Sequence, residues 1–147
     1  MDADTYTDAD VVRAIETRFV PLKLDLFNGP REVVRPLNVI WTPTILFADR
    51  RMVVHYRSLN FLPPRHFRTL LDIGEAEVGL RWSRTDHAID LLTRAYERDP
   101  DGPFAAEALY RKGIAVYLKT HSNPQMYAVW DVLRERFPES IWSLRVP

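Results

Sequence analysis

The four histidines, His55, His66, His87 and His121, are the first residues to ask for chemistry. None stands in a His-Glu-x-x-His or comparable spacing, so no pair of imidazoles shares a helix face in the way a zinc site needs. His55 alternates with strand-forming neighbours and reads as a face-lining residue, while the other three fit exposed helix positions. No metal site is expected. The chain contains no cysteine, which excludes disulfides, iron–sulfur ligation and a thiolate nucleophile. There is no Gly-x-Ser-x-Gly elbow, phosphate-cradling glycine loop or dinucleotide fingerprint, and the five glycines are too scattered to build one. Neither a cofactor nor a catalytic residue is implied.

Recognition chemistry is better represented. Trp41 and Tyr56 stand near Thr42-Pro43, and aromatic rings combine large contact area with a polar handle, so Trp41, Thr42, Pro43 and Tyr56 are candidates for lining a peptide groove. Core packing is the competing reading for both rings. Trp130 and Phe137 fall at helical spacing and read as core. Arg50-Arg51, with Arg65 and Arg68, could form a basic patch, but nearby acids offset much of it and a solvated face is the simpler reading.

Composition narrows the classes further. With 147 residues and 46% hydrophobic content the chain can bury one good core or divide into two small modules. Lys plus Arg and Asp plus Glu both number 20, so no net charge steers the molecule toward nucleic acid or an anionic membrane. The acidic opening MDADTYTDAD lacks the basic and apolar regions of a signal peptide. The best apolar stretch, 39–48, is far shorter than the roughly 18 residues a membrane span needs and contains a proline. A soluble, cytoplasmic protein is expected.

The elements that must position these residues can be read from periodicity. Thr7 followed by Asp10 suggests a capping box, and Val11, Ile15 and Phe19 place one apolar stripe on a helix over 8–18. Val20, Leu22, Leu24 and Leu26 alternate with polar residues or proline, predicting a half-buried strand over 20–26 that Asn28-Gly29-Pro30 ends. A short helix over 31–35 is limited by Pro36. The run 44–48 reads as an inner strand, and Asp49-Arg50-Arg51 separates it from a second strand over 52–56, giving a hairpin. Pro63 and Pro64 open a helix carrying Phe67, Leu70 and Leu71, with Gly74 as its end signal. The pattern weakens over 75–83, where the module boundary is placed. Beyond it, breaks at 99–103 and 122–124 separate three helices.

The stretch 5–71, with Phe19-Val20-Pro21-Leu22-Lys23-Leu24-Asp25 and Asn38-Val39-Ile40-Trp41-Thr42-Pro43-Thr44-Ile45-Leu46-Phe47, resembles the thioredoxin-like family. The resemblance implies a cis bond before Pro43 and a loop there that holds an extended peptide by backbone hydrogen bonds. It also implies a final strand and helix over 56–71, with Asn60 where many relatives carry glycine. The family's first strand and Cys-x-x-Cys motif have no counterpart here. That missing strand would sit between 20–26 and 44–48, so the gap is expected to close by direct pairing or to be filled by another chain, as in a homodimer.

The stretch 86–146 resembles tetratricopeptide-like repeats through Ala106-Glu107-Ala108-Leu109-Tyr110, Gly113, Tyr117 and the ending Arg136-Phe137-Pro138-Glu139-Ser140. In such repeats the small residue lets two helices approach closely. About one and a half repeats fit, too few to stand alone, so this tail is expected to pack on the first module or a partner. Asp2-Ala3-Asp4-Thr5 matches the short Asp-x-Asp-x-Thr pattern of haloacid-dehalogenase-like phosphotransferases. No buried strand precedes it, and a solvated segment before the first helix is the better reading.

The resulting expectation is an α/β chain: a truncated thioredoxin-like mixed sheet with flanking helices over 1–74, then a tetratricopeptide-like helical hairpin over 84–147. Lacking thiols, it is expected to bind a protein or peptide through the Pro43 loop and helical tail. One alternative is the downstream part of a thiol–disulfide oxidoreductase whose Cys-x-x-Cys lies before Met1; another is a structural assembly subunit. Neither nucleic acid nor membrane is an expected partner.

Overall fold

The computed structural model describes residues 4–59 and 61–147. Helix α1 spans Ala9–Arg18. Its N-cap is Asp8 rather than the expected Thr7: the Asp8 carboxylate accepts from the backbone N–H groups of Asp10 at 3.1 Å and Val11 at 3.0 Å. Val11 is buried, and Ala14, Ile15 and Phe19 pack with it against Phe47, Phe67, Leu70 and Leu71.

The strand predicted over 20–26 does not form. Val20 is 97% exposed and Leu22 64%, and the segment forms no ladder. Alternation fits a strand's side-chain period, but a strand also needs a neighbour to take its N–H and C=O groups, and among the described residues none lies opposite. A short helix, α2, spans Arg31–Val34 and tightens into a 3-10 turn over Arg35–Leu37.

Strands β1 (Thr44–Ala48) and β2 (Val54–Leu59) form an antiparallel hairpin in which Thr44 faces Leu59 and Phe47 faces Tyr56. The second strand starts two residues later than expected because Asp49 organises the turn. Its carboxylate accepts from the backbone N–H groups of Arg51 at 2.8 Å and Val53 at 3.1 Å, and its carbonyl accepts from Met52 N–H at 2.8 Å. Among the described residues the sheet is this two-stranded hairpin, so the expected mixed sheet is corrected to an antiparallel one.

Helix α3, Pro64–Arg81, carries proline at its start and runs straight past Gly74, the expected end. Gly74 is instead a contact residue: a Cβ there would overlap the Phe47 ring. The stretch 75–83 is therefore the second half of α3 and the turn after it. Along one helix, Phe67, Leu70 and Leu71 join the cluster with Val11 and Phe47, while Ile73 and Ala76 join Ala88, Leu91, Leu92, Ala95, Ala108 and Ala115.

Helices α4 (Thr85–Arg98), α5 (Ala105–Thr120) and α6 (Asn123–Arg136) follow, each packed on its predecessor. Gly113 lets α6 come close, because a Cβ would occupy the position of the Trp130 indole. The indole N–H donates to the Tyr110 carbonyl at 2.9 Å, and the two rings stack. His121 sits in the left-handed region (φ 52°) at the end of α5 rather than on an exposed helix face.

Helix α1 is fastened to α3 and α4 by charge. The buried Asp72 carboxylate faces Arg18 Nη2 at 2.7 Å, an ion pair without hydrogen-bond geometry, and accepts from Arg98 Nη1 at 2.5 Å. Arg18 Nε also donates to Glu75 at 2.7 Å. Expectations about Asp2, Ala3 and Asn60 fall outside the described residues. Among the described residues, no helix is long and apolar enough to cross a membrane, and no group of three or more His, Asp or Glu could hold a metal ion.

Candidate interaction surface at the cis-proline loop

The loop before β1 is positioned from both sides. Arg57 on β2 donates from Nη1 to the Asn38 carbonyl at 2.9 Å and from Nη2 to the Leu37 carbonyl at 2.5 Å. Asn38 takes a left-handed turn (φ 50°), which an asparagine tolerates better than most residues. The Thr42–Pro43 bond is cis, and the Thr44 hydroxyl donates to the Trp41 carbonyl at 2.5 Å. On the facing segment, the Asp25 carboxylate closes the 25–28 turn by accepting from the N–H groups of Phe27 at 2.8 Å and Asn28 at 2.9 Å. These bonds, the one from Asn28 N–H foremost, hold the Asp25 carboxyl below its ordinary range.

Between the two stretches lies an open depression of about 220 Å³ lined by Leu26, Phe27, Ile40, Trp41 and Thr42. A second, of about 460 Å³, shares Leu26 and is lined on its other side by Arg31, Arg35 and Asn38. Phe27 is 88% exposed, Ile40 87% and Trp41 63%. With Val20 and Leu22 they make five large apolar side chains between 20 and 41 that face solvent, three of them around the first depression.

Trp41, Thr42 and Pro43 thus lie together, with Trp41 and Thr42 exposed. Tyr56 is separate from them. Its ring packs on Phe47, and its hydroxyl donates to Glu107 Oε1 at 2.9 Å. Arg111 covers the same ring at 4.8 Å from its centroid, while pairing with Glu77 at 2.7 Å and with Glu107 at 2.8 Å. Burial, reinforced by the Glu107 carboxylate, pushes the Tyr56 phenol well above its ordinary value. The network joins β2 to α3 and α5 with its acids and base mutually paired, an arrangement suited to holding elements in place.

Sequence reasoning missed Phe27 and Ile40. It also assigned Val20 and Leu22 to a buried strand face, although they are solvent-exposed. Glu107 and Arg111 lie one helical turn apart, but the meeting of Glu107 with Tyr56 spans 51 positions and left no local signal. No known protein-family model, curated protein or solved structure matches this chain.

Proposed function

We propose that this chain is a protein- or peptide-binding module of thioredoxin-like type, inactive in thiol–disulfide exchange as it stands. It would receive an extended segment at the cis-Pro43 loop, with the tetratricopeptide-like helices as its support or as a second contact. The observation that carries this reading is the coincidence of Phe27, Ile40 and Trp41, all largely exposed, with a strand, β1, whose outer edge has no strand partner among the described residues. An open edge offers backbone donors and acceptors, and adjoining apolar side chains supply affinity, the combination used in strand addition.

The test is fluorescence anisotropy with labelled ten-residue peptides of alternating apolar and polar residues, beside analogues carrying proline at alternate positions. Binding should favour the proline-free peptides and weaken about tenfold in Trp41→Ala, as expected for an aromatic anchor. Equal affinity for both peptide sets, or none for either, would discard the reading.

The same open edge also favours a second reading, in which the chain is the downstream portion of a thiol–disulfide oxidoreductase and the edge receives an upstream strand. An in-frame Cys-x-x-Cys coded before Met1 would decide for it. If a second copy fills the edge, making a homodimer or assembly subunit, light scattering will report twice the monomer mass.

A further inference from the structure

We propose that the β1–β2 turn and the C-terminal end of α3 form a cationic docking surface for an acidic, partly apolar peptide. This surface is separate from the cis-proline loop and does not rest on the function proposed for that loop. Two guanidinium groups converge on one ring: Arg50 lies 5.0 Å and Arg51 5.5 Å from the centroid of Trp82. Arg81 and Arg84 flank Trp82 in sequence, and all four arginines are exposed. Among the described residues, none of the four lies within ion-pair distance of a carboxylate, whereas Arg18, Arg65, Arg98, Arg111 and Arg136 all do.

The acid closest in sequence, Asp49, is committed inward. It serves the backbone N–H groups of the turn and meets His55 Nε2 at 3.0 Å. Arg50 and Arg51 thus meet at Trp82, with Arg81 and Arg84 within two residues of it along the chain, in a molecule whose formal net charge is zero. Contact with the indole restrains the Arg50 and Arg51 side chains before a ligand arrives, so less side-chain freedom is lost when a carboxylate is bound by two parallel N–H···O bonds. The turn beneath them is fixed by the Asp49 bonds, and it holds Met52, 56% exposed, in a left-handed conformation (φ 61°).

Two observations favour a peptide over nucleic acid. The Trp82 ring already carries two guanidinium groups, which compete with a base for stacking on it. Net neutrality supplies none of the long-range attraction that nucleic-acid binding draws on. Met52 beside the arginines adds an apolar contact that an acidic peptide with interspersed leucines can match.

The experiment is isothermal titration of the intact chain with a twelve-residue peptide of repeated Glu-Pro-Glu-Pro-Leu-Pro, whose alternate prolines bar strand addition at the β1 edge, its Gln-for-Glu analogue and a twelve-nucleotide oligouridylate. The Glu peptide should bind, its affinity should fall as salt rises, and the Gln analogue should bind about tenfold more weakly. Arg50→Glu/Arg51→Glu should abolish binding while leaving the melting temperature near that of the parent. Arg81→Glu/Arg84→Glu provides an independent variant if the first pair disturbs the turn. Trp41→Ala should bind normally, which separates this surface from the cis-proline loop. No binding of the Glu peptide, equal binding of the Gln analogue, full binding in both charge-reversed variants, or tighter binding of oligouridylate would overturn the proposal.

Discussion

Residues 20–43 and the helices α3 to α6 are both rich in valine, leucine and isoleucine, yet they handle those residues in opposite ways. In the helices, Leu91, Leu92 and Leu133 are fully buried, and each helix packs on the one before it. In the other stretch, Val20, Leu22, Phe27 and Ile40 face solvent. The difference is one of backbone satisfaction. A helix bonds its own N–H and C=O groups and needs only a packing surface from its neighbours; an extended segment depends on a neighbour for both. The helical half can therefore complete itself from consecutive elements, while the first half is left with apolar surface and, among the described residues, an open strand edge.

The sharpest way to break this comparison is to truncate one leucine in each region. Leu92→Ala should cost about 2–5 kcal/mol in urea unfolding, because it opens a cavity in a close-packed cluster. Leu22→Ala, at a side chain already in water, should change stability by less than about 0.5 kcal/mol. A large loss for Leu22→Ala would mean that the 20–26 segment is covered in solution.

A smaller effect is expected where the two regions meet. Gly74→Ala places a methyl group against the Phe47 ring, and overpacking of this kind costs about 1–3 kcal/mol, partly offset by the roughly 1 kcal/mol by which alanine is the better helix former. The added Cβ would overlap carbons of the Phe47 ring, so the upper part of the overpacking range applies, net destabilisation in urea of about 1–2 kcal/mol is expected, and Phe47→Leu should relieve part of it. A neutral or stabilising Gly74→Ala would show that β1 is not seated on α3 as described.

The smallest effect concerns pH. Burial, with the Glu107 carboxylate, keeps the Tyr56 phenol protonated in the folded chain above the value of about 10 at which an unfolded tyrosine ionises. Above that pH the folded state holds a proton the unfolded state has released, so stability falls as pH rises through the alkaline range. Denaturation midpoints between pH 9 and 11 should fall less steeply in Tyr56→Phe. Identical slopes would mean that the ring is not held against Glu107.

Much of the local structure is legible in the sequence. The three helices after position 84 and their breaks were read from spacings of three and four, and a hairpin was read from two β-prone runs around Asp49-Arg50-Arg51. The misreadings have local causes as well. Gly74 reads as a helix end because glycine so often follows one, whereas here the missing side chain makes room for Phe47. Asp8 and Thr7 are both good caps, and only the backbone angles at Asp8 (φ −66°, ψ 126°) decide between them. Trp41 and Tyr56, grouped by the sequence as neighbours of Thr42-Pro43, part company because Tyr56 lies on the strand face turned toward α5 and Trp41 stays in the loop.

By itself the sequence determined what the chain cannot do with sulfur, since no cysteine is present, and where its helices run, since a helix closes its hydrogen bonds among nearby residues. Which extended segments become strands, which apolar residues stay exposed and which charges go unpaired were decided only by tertiary structure. Those outcomes depend on what lies across space from each residue: Phe47 above Gly74, Glu107 at the Tyr56 hydroxyl, Arg50 and Arg51 on Trp82. Periodicity along the chain carries no record of such partners.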